Sequence, residues 1–335
     1  MAPARIHTAR IQTARIQTAR IHTKMRQAAV TLAAGAYTTT WLPEFGMLGV
    51  SLTHDGDELI ALPRTLADYR RGMPDGGYTG LPLNAPWANR LSEREFVLDG
   101  RLVRLGPRVA ADGNGLPIHG TVEARPFTVD FVGHDGAAVV VRATLVHDDP
   151  ALLRAFPFVH RITVDVRLSA RGLTVSTTII PVGRGAVPVA FGWHPFLTIP
   201  GVARDCWRLR LPDRRHHVLD ARLLPTGRTE PAPAEDRRLG RRTFDDHFAL
   251  GADRRFALTG GGRTIHVGFD RGYRHAQLYV PPAATTAGDA STDFVCIEPM
   301  TAPVNALVAG GTARATRAAP YVARFTIAAR PARPR

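Results

Sequence analysis

The stretch FVHRITVDVRL, residues 158–168, alternates. Phe158, Ile162, Val164, Val166 and Leu168 share one parity, and Arg161, Thr163, Asp165 and Arg167 share the other. A period of two belongs to a strand with one face in the core and one in water, not to a helix. SARG then offers a turn, and LTVSTTII returns. The arrangement recurs along the chain. FTVDFV and AAVVVRATLV flank GHDG, EFVL and RLVRL flank Asp99-Gly100, and RFALTG and RTIHVGF flank Gly261-Gly262. Asp-Gly is the strongest of these signals, because a type I′ turn needs positive φ at both central residues. Many short strands with turn chemistry about every 8 to 12 residues predict an all-β protein, built as a large antiparallel β-sandwich or barrel. One short helix is expected near residues 59–66. The polar run PAPAEDRRLGRR, residues 231–242, reads as a loop.

The first residues obey a different rule. ARIHT, ARIQT, ARIQT and ARIHT follow one another, and a period of five matches neither a helix stripe nor a strand. The segment is basic and lacks aromatics, so residues 1–24 are expected to form a disordered tail, with Met25 the working start. Residues 25–332 are expected to form a single β domain. KMRQAAVTLAAGAY looks superficially like a secretory leader. Thr31 interrupts its apolar run, however, and TTTWLP continues it as strand, so a first hairpin turning near Gly35 is the reading here. No run of 18 apolar residues predicts a membrane helix.

Net charge is +14, which raises the question of nucleic acid. Lys24 is the only lysine among 43 basic residues, a one-sidedness typical of compositional bias. The arginines are scattered and are not interleaved with stacking aromatics. No nucleic-acid or membrane partner is therefore expected. Cys206 and Cys296 are too few and too far apart for a zinc motif or a disulfide framework. They are expected to be buried free thiols in a cytoplasmic protein.

Five polar spots interrupt the β pattern beside glycine or proline: Arg90 in PWANRL, His119 in PIHGT, His194 in FGWHPF, Asp245 in TFDDHFAL and Glu298 in CIEPMTAP. Glu298 ends the apolar run FVCI, and a carboxylate there is costly unless it is paired or in use. His194 ends VPVAFG, where burial would shift its pKa. The adjacent His216 and His217 of DRRHH point to opposite faces if they lie on a strand, and are expected to be exposed rather than metal-binding.

PLNAPWANRL, IHG, FGWHPF, FDDHF and CIEPMTAPVNAL, taken in this order, resemble the aldose 1-epimerase family, also called galactose mutarotases. The resemblance covers roughly residues 26 to 330. The PWANRL and EPMTAP forms look most like the bacterial subgroup near the sulfoquinovose-operon mutarotase. The resemblance implies a galactose mutarotase-like supersandwich whose cleft binds a sugar. It implies Glu298 as general base and His194 as general acid. His119 would orient the ring oxygen or share its proton, and Arg90 and Asp245 would hold hydroxyls. Asp246 stays open as the alternative to Asp245, which is preferred because it stands three before Phe248.

The implied reaction exchanges the anomers of a free aldose by ring opening. It needs an acid and a base on either side of one C–O bond, and no metal or cofactor. The partner implied is a small-molecule sugar, and the chain is expected to be a monomer or homodimer. Which sugar it takes is left open. The arginine-rich insert 201–242 could rim the cleft and favour an anionic one, although a solvated loop is the plainer reading. The competing class is a non-catalytic sugar-binding protein on the same scaffold. A hydrolase would need two flanking carboxylates, and only Glu298 suits such a place.

Overall fold

The computed structural model describes residues 29–70, 78–283 and 292–332. The expected tail and start at Met25 lie outside the described residues. Val30–Ala34 and Tyr37–Leu42 pair as an antiparallel hairpin across Gly35, as the strand reading of this stretch requires. Glu95–Leu98 and Arg101–Arg104 form the hairpin at Asp99-Gly100, with φ of 52° and 72° at the two turn residues. His160–Ser169 shows the alternation: Ile162, Val164, Val166 and Leu168 are buried, and their neighbours face outward.

Two large antiparallel sheets dominate. The nine-stranded sheet runs from Glu235–Arg238 at one edge through the long strands Tyr321–Pro331, Gly172–Pro181, His160–Ser169 and Ala138–His147 to Thr128–Asp135. The eight-stranded sheet orders Pro225–Ala232, Arg214–Leu219, Phe244–Leu250, His275–Val280, Val295–Met300, Gly192–Trp193 and Leu83–Asn84, with Phe196–Leu197 also pairing to Val295–Met300. Their apolar faces meet in one cluster that includes Val164, Val175, Phe325, Leu278 and Ile297. Trp193 ties the sheets together. Its ring lies 6.0 Å from Phe325, and its Nε1 donates to Thr177 Oγ1 at 3.0 Å.

Three expectations are corrected. The helix lies at Leu66–Arg70, later than expected. Ile60 bridges to Leu197 instead, and helix entry waits for Thr65. The Thr65 hydroxyl accepts from Asp68 N while Asp68 accepts from Thr65 N, a reciprocal cap. Residues 231–242 are not a plain loop. They contain the end of strand Pro225–Ala232 and all of Glu235–Arg238, whose polar side chains suit edge strands. Cys296 is buried, but Cys206 is exposed. It ends the turn Arg204–Cys206, and Trp207 takes the core position beside it.

His147 and His160 face each other across the ladder, both buried, with rings 4.6 Å apart. Burial lowers the His147 pKa to about 3, helped by the neighbouring His160, and burial lowers that of His160 to about 4. The unfolded chain therefore binds protons below about pH 6.5 that the folded chain refuses. Stability is complete above that pH and falls as pH drops toward 4, by up to about 1.4 kcal/mol per pH unit per histidine. Melting temperature should decline steadily from pH 7 to 4.5, and His147→Leu should flatten the decline. An unchanged slope in the variant would refute the assignment.

Candidate active site

Val295–Met300 is buried on both faces, which explains why its sequence is apolar except at Glu298. Val295 and Ile297 enter the central core, while Cys296, Glu298 and Met300 face the other way. Glu298 is 1% exposed. Gln277 sits opposite it in register, and Asp245 lies opposite Tyr279 on the strand beyond. This face of the sheet floors a cleft of about 530 Å³, lined by Arg90, His119, His194, Asp245 and Glu298 together with Tyr78, Phe196, Tyr279 and Phe294. All five side chains picked out in the sequence thus meet in one place. A larger hollow of about 1140 Å³ opens elsewhere, among Arg208, Asp253, Arg255 and His266. Several of its charges are already paired, Arg208 with Asp236 and Arg210 with Asp253 nearby.

The irregular segment containing PWANRL positions Arg90. Asn89 has φ of 60° and His119 of 63°, both left-handed, and such backbone in non-glycine residues is concentrated at working sites. Arg90 Nε donates to Asp112 Oδ2 at 2.6 Å and its NH2 to Asp245 Oδ2 at 2.9 Å. Burial alone would weaken its charge, but the two carboxylates outweigh that and raise its pKa. Asp245 also accepts from Gln277 Nε2 at 2.6 Å. Asp246 points away and meets His216 at 2.9 Å, so Asp245 is the aspartate in the cleft.

His119 is held by its backbone and by its ring. Gly120 after it has φ of 83°, and a Cβ there would lie 2.0 Å from the Ala85 carbonyl oxygen, so only glycine fits. His119 Nδ1 lies 3.2 Å from Asn89 N and 2.7 Å from Asn84 Nδ2. A backbone N–H can only donate, so Nδ1 accepts and the ring proton sits on Nε2. Tyr78 packs against this ring at 4.6 Å.

His194 stacks on Phe196 at 4.6 Å and stands 5.2 Å from the His119 ring. Its Nε2 lies 3.2 Å from Glu298 Oε1, and Glu298 Oε2 has no hydrogen-bond partner among the described residues. Burial pushes both groups toward their neutral forms. It lowers the His194 pKa to about 3 and holds that of Glu298 well above the carboxylate range, with the Asp245 charge adding to the rise and Arg90 opposing it. The arrangement can hold and move one proton between a carboxylate and an imidazole beside a fixed cationic donor.

Sequence reasoning missed Asp112, Asn84 and Gln277. Asp112 lies in ADGNG, which reads as a turn, and its Oδ1 does accept from Asn114 N and Leu116 N. Nothing local marks its other oxygen as a partner for Arg90. Asn84 lies within PLNAPWANRL but interrupts no long apolar run, and Gln277 sits inside an apolar strand without a motif. Several arginines of the insert pair within the insert itself, as Arg214 does with Glu235 on another strand. Nitrogen NMR offers a direct check on the tautomer. His119 should carry its proton on Nε2 and stay neutral from pH 8 down to 5, since burial, His194 and Arg90 all lower its pKa. A proton on Nδ1 would overturn the reading.

The sequence pattern of the Aldose 1-epimerase family matches residues 29–311. No curated protein matches. Among solved structures, a galactose mutarotase-like protein from Clostridium acetobutylicum has a TM-score of 0.78 at 17% identity, over 91% of this chain and 95% of that one. A GalM/aldose epimerase homologue from C. elegans has a TM-score of 0.72 at 14% identity, over 91% and 99%. A galactose 1-epimerase from Lactobacillus acidophilus has a TM-score of 0.71 at 15% identity, over 90% and 94%. At these identities the likeness is one of fold.

Proposed function

Because the chain belongs to the aldose 1-epimerase family, we propose that it interconverts the α and β anomers of a free aldose by acid/base-catalysed opening and reclosing of the sugar ring. The observation that carries this is the contact of Glu298 Oε1 with His194 Nε2 at 3.2 Å inside the cleft that Arg90 and Asp245 line. Binding a sugar needs donors and acceptors, but it does not need a buried carboxylate and imidazole sharing a proton.

With the shared proton of the pair on His194, Glu298 takes the proton from the C1 hydroxyl as His194 gives its own to the ring oxygen, and the C1–O5 bond breaks. The C1–C2 bond of the open aldehyde rotates. Glu298 then returns its proton to O1 while His194 recovers its own from the former ring oxygen, and the ring closes on the other face. The pair holds one proton before, during and after, which suits two groups that burial keeps from being charged independently. His119 donates from Nε2 to a sugar oxygen and stays out of the proton count. The Arg90 fork, already held by Asp112, Asn89 and Asp245, keeps one N–H preorganised for a sugar hydroxyl. Nothing is oxidised and no charge persists, so the chemistry needs no cofactor.

The PWANRL and EPMTAP forms support a place near the sulfoquinovose-operon subgroup, and Arg64 lines the cleft. A substrate panel of single-anomer sugars should therefore include an anionic hexose beside neutral ones. Polarimetry on freshly dissolved anomers reads the rate.

Glu298→Gln keeps size and a carbonyl acceptor but cannot take a proton. It should lower kcat about 10²–10⁴-fold and leave sugar affinity nearly unchanged. Full catalysis in the variant would move the base elsewhere. No turnover in the wild type on any sugar that binds would make the protein a binding module.

The rate should follow a bell in pH. A second proton on the pair removes the base at low pH, and loss of the single proton removes the acid at high pH. A flat profile from about pH 5 to 9, with chemistry shown to limit turnover, would sink the shared-proton mechanism.

A further inference from the structure

His216 and His217 were expected to be exposed, and the strand Arg214–Leu219 separates them as adjacent residues must. His216 leaves toward Asp246 and Phe248. His217 is half-buried on the other face, where two further histidines meet it: His247 from Phe244–Leu250 and His275 from His275–Val280. One donor atom of each of the three lies within 4.8 Å of the others. From this we propose that His217, His247 and His275 form a transition-metal site, distinct from the acid–base pair, that takes a dication of the zinc class through three neutral imidazoles.

Geometry carries the proposal. The ring centroids are 4.7 Å apart for His217–His247, 5.3 Å for His247–His275 and 5.6 Å for His217–His275. Three imidazoles on one tetrahedral ion, with metal–nitrogen bonds of about 2.1 Å, hold their centroids about 5 Å apart. His247 is fully buried, and neither of its ring nitrogens has a hydrogen-bond partner among the described residues. His217 Nε2 and His275 Nδ1 are likewise buried atoms without partners among them. Three imidazoles turned on one another with buried, unpaired nitrogens forfeit hydrogen bonds that protein interiors rarely forgo. A bound dication would use those lone pairs. An all-imidazole set without carboxylates suits zinc, copper, nickel or cobalt, and not calcium or magnesium. His217 and His275 are only part-buried, so the fourth tetrahedral position is reachable by water.

The surroundings fit. Gln277 stands opposite His247 in register, its Nε2 fixed on Asp245 at 2.6 Å and its Oε1 without a hydrogen-bond partner among the described residues. That oxygen can accept the imidazole N–H on the nitrogen that metal binding leaves outward, the usual outer support of a histidine ligand. The ion would pin three neighbouring strands and, through Gln277, brace the floor beside Asp245. It would not touch Glu298 or His194.

The test uses the untagged full chain, stripped with chelator and titrated with Co²⁺, whose visible absorption reports a tetrahedral nitrogen site. The expected result is one saturable equivalent with Kd below about 1 µM, displaced by Zn²⁺ and accompanied by a rise in melting temperature. His247→Asn should abolish the band. His217→Asn and His275→Asn, at half-exposed positions, should weaken binding at least about tenfold and decide the matter if the His247 variant does not fold. The Glu298→Gln, His194→Asn double variant should bind Co²⁺ as the wild type does. The proposal is overturned by weak, unsaturable binding, by binding that survives loss of these histidines, as it would if His7 and His22 of the N-terminal repeats were responsible, or by loss of the band in the double variant. None of these readings depends on sugar turnover, so failure here and failure of the epimerase reading are separable.

Discussion

A carboxylate in the middle of a strand covered on both faces is the constraint from which the rest follows. Glu298 cannot be solvated there, and an isolated charge at such depth would cost several kcal/mol. The fold leaves it two sources of compensation, a proton shared with His194 and the positive field of Arg90. Both come from outside its own strand. His194 arrives on the short strand ending at Trp193, which is clamped to the opposite sheet through Thr177 and Phe325. Arg90 arrives on an irregular segment whose backbone is held in left-handed turns. The core therefore does more than stabilise the protein, because it sets the distance between the two halves of the acid–base pair.

In the proposed reaction, the same logic separates the groups that would hold the ring from those that would move the proton. Arg90 is fixed by two carboxylates before any ligand arrives, so its fork presents donors at little entropic cost. His119 is fixed as a neutral donor by a backbone N–H that can only donate. Glu298 and His194, by contrast, have each other, with Glu298 Oε2 and His194 Nδ1 left without hydrogen-bond partners among the described residues. A site that only recognised sugar would have no use for this division. In an anomerase it follows from the chemistry, since one proton must move twice while the ring is held still.

The row of residues across the eight-stranded sheet joins this site to the three histidines. His247, Gln277 and Glu298 are successive neighbours across the ladder, so the floor of the cleft and the histidine cluster share a backbone. Gln277 is the hinge of the row, its amide nitrogen on Asp245 and its place in register opposite His247. A stiffening of the strands at the histidines would be felt first by the aspartate that holds Arg90.

How much of this was written in the one-dimensional chain follows from the range of each interaction. Period-two patterning, Asp-Gly and Gly-Gly turns and the alternation of His160–Ser169 are local, so the all-β antiparallel architecture was legible from the residues. Arg90, His119, His194, Asp245 and Glu298 were legible because each interrupts an apolar run beside glycine or proline, and because together they resemble a family. Gly120 and Gly192 were legible only as motif letters. Their reasons, a backbone oxygen 2.0 Å from one absent Cβ and the Pro299 carbonyl oxygen 2.7 Å from the other, belong to segments distant in sequence. Asp112 looked like a turn residue and is one, but its second oxygen meets an arginine 22 positions away. The three histidines carry no spacing signal at all. Strand register alone brings 217, 247 and 275 together, and register is set by which faces the core buries. The sequence by itself determined the period, the turns and the identities of the polar groups. Only the tertiary structure decided which of those groups touch, because burial and pairing act between segments that local chemistry cannot relate.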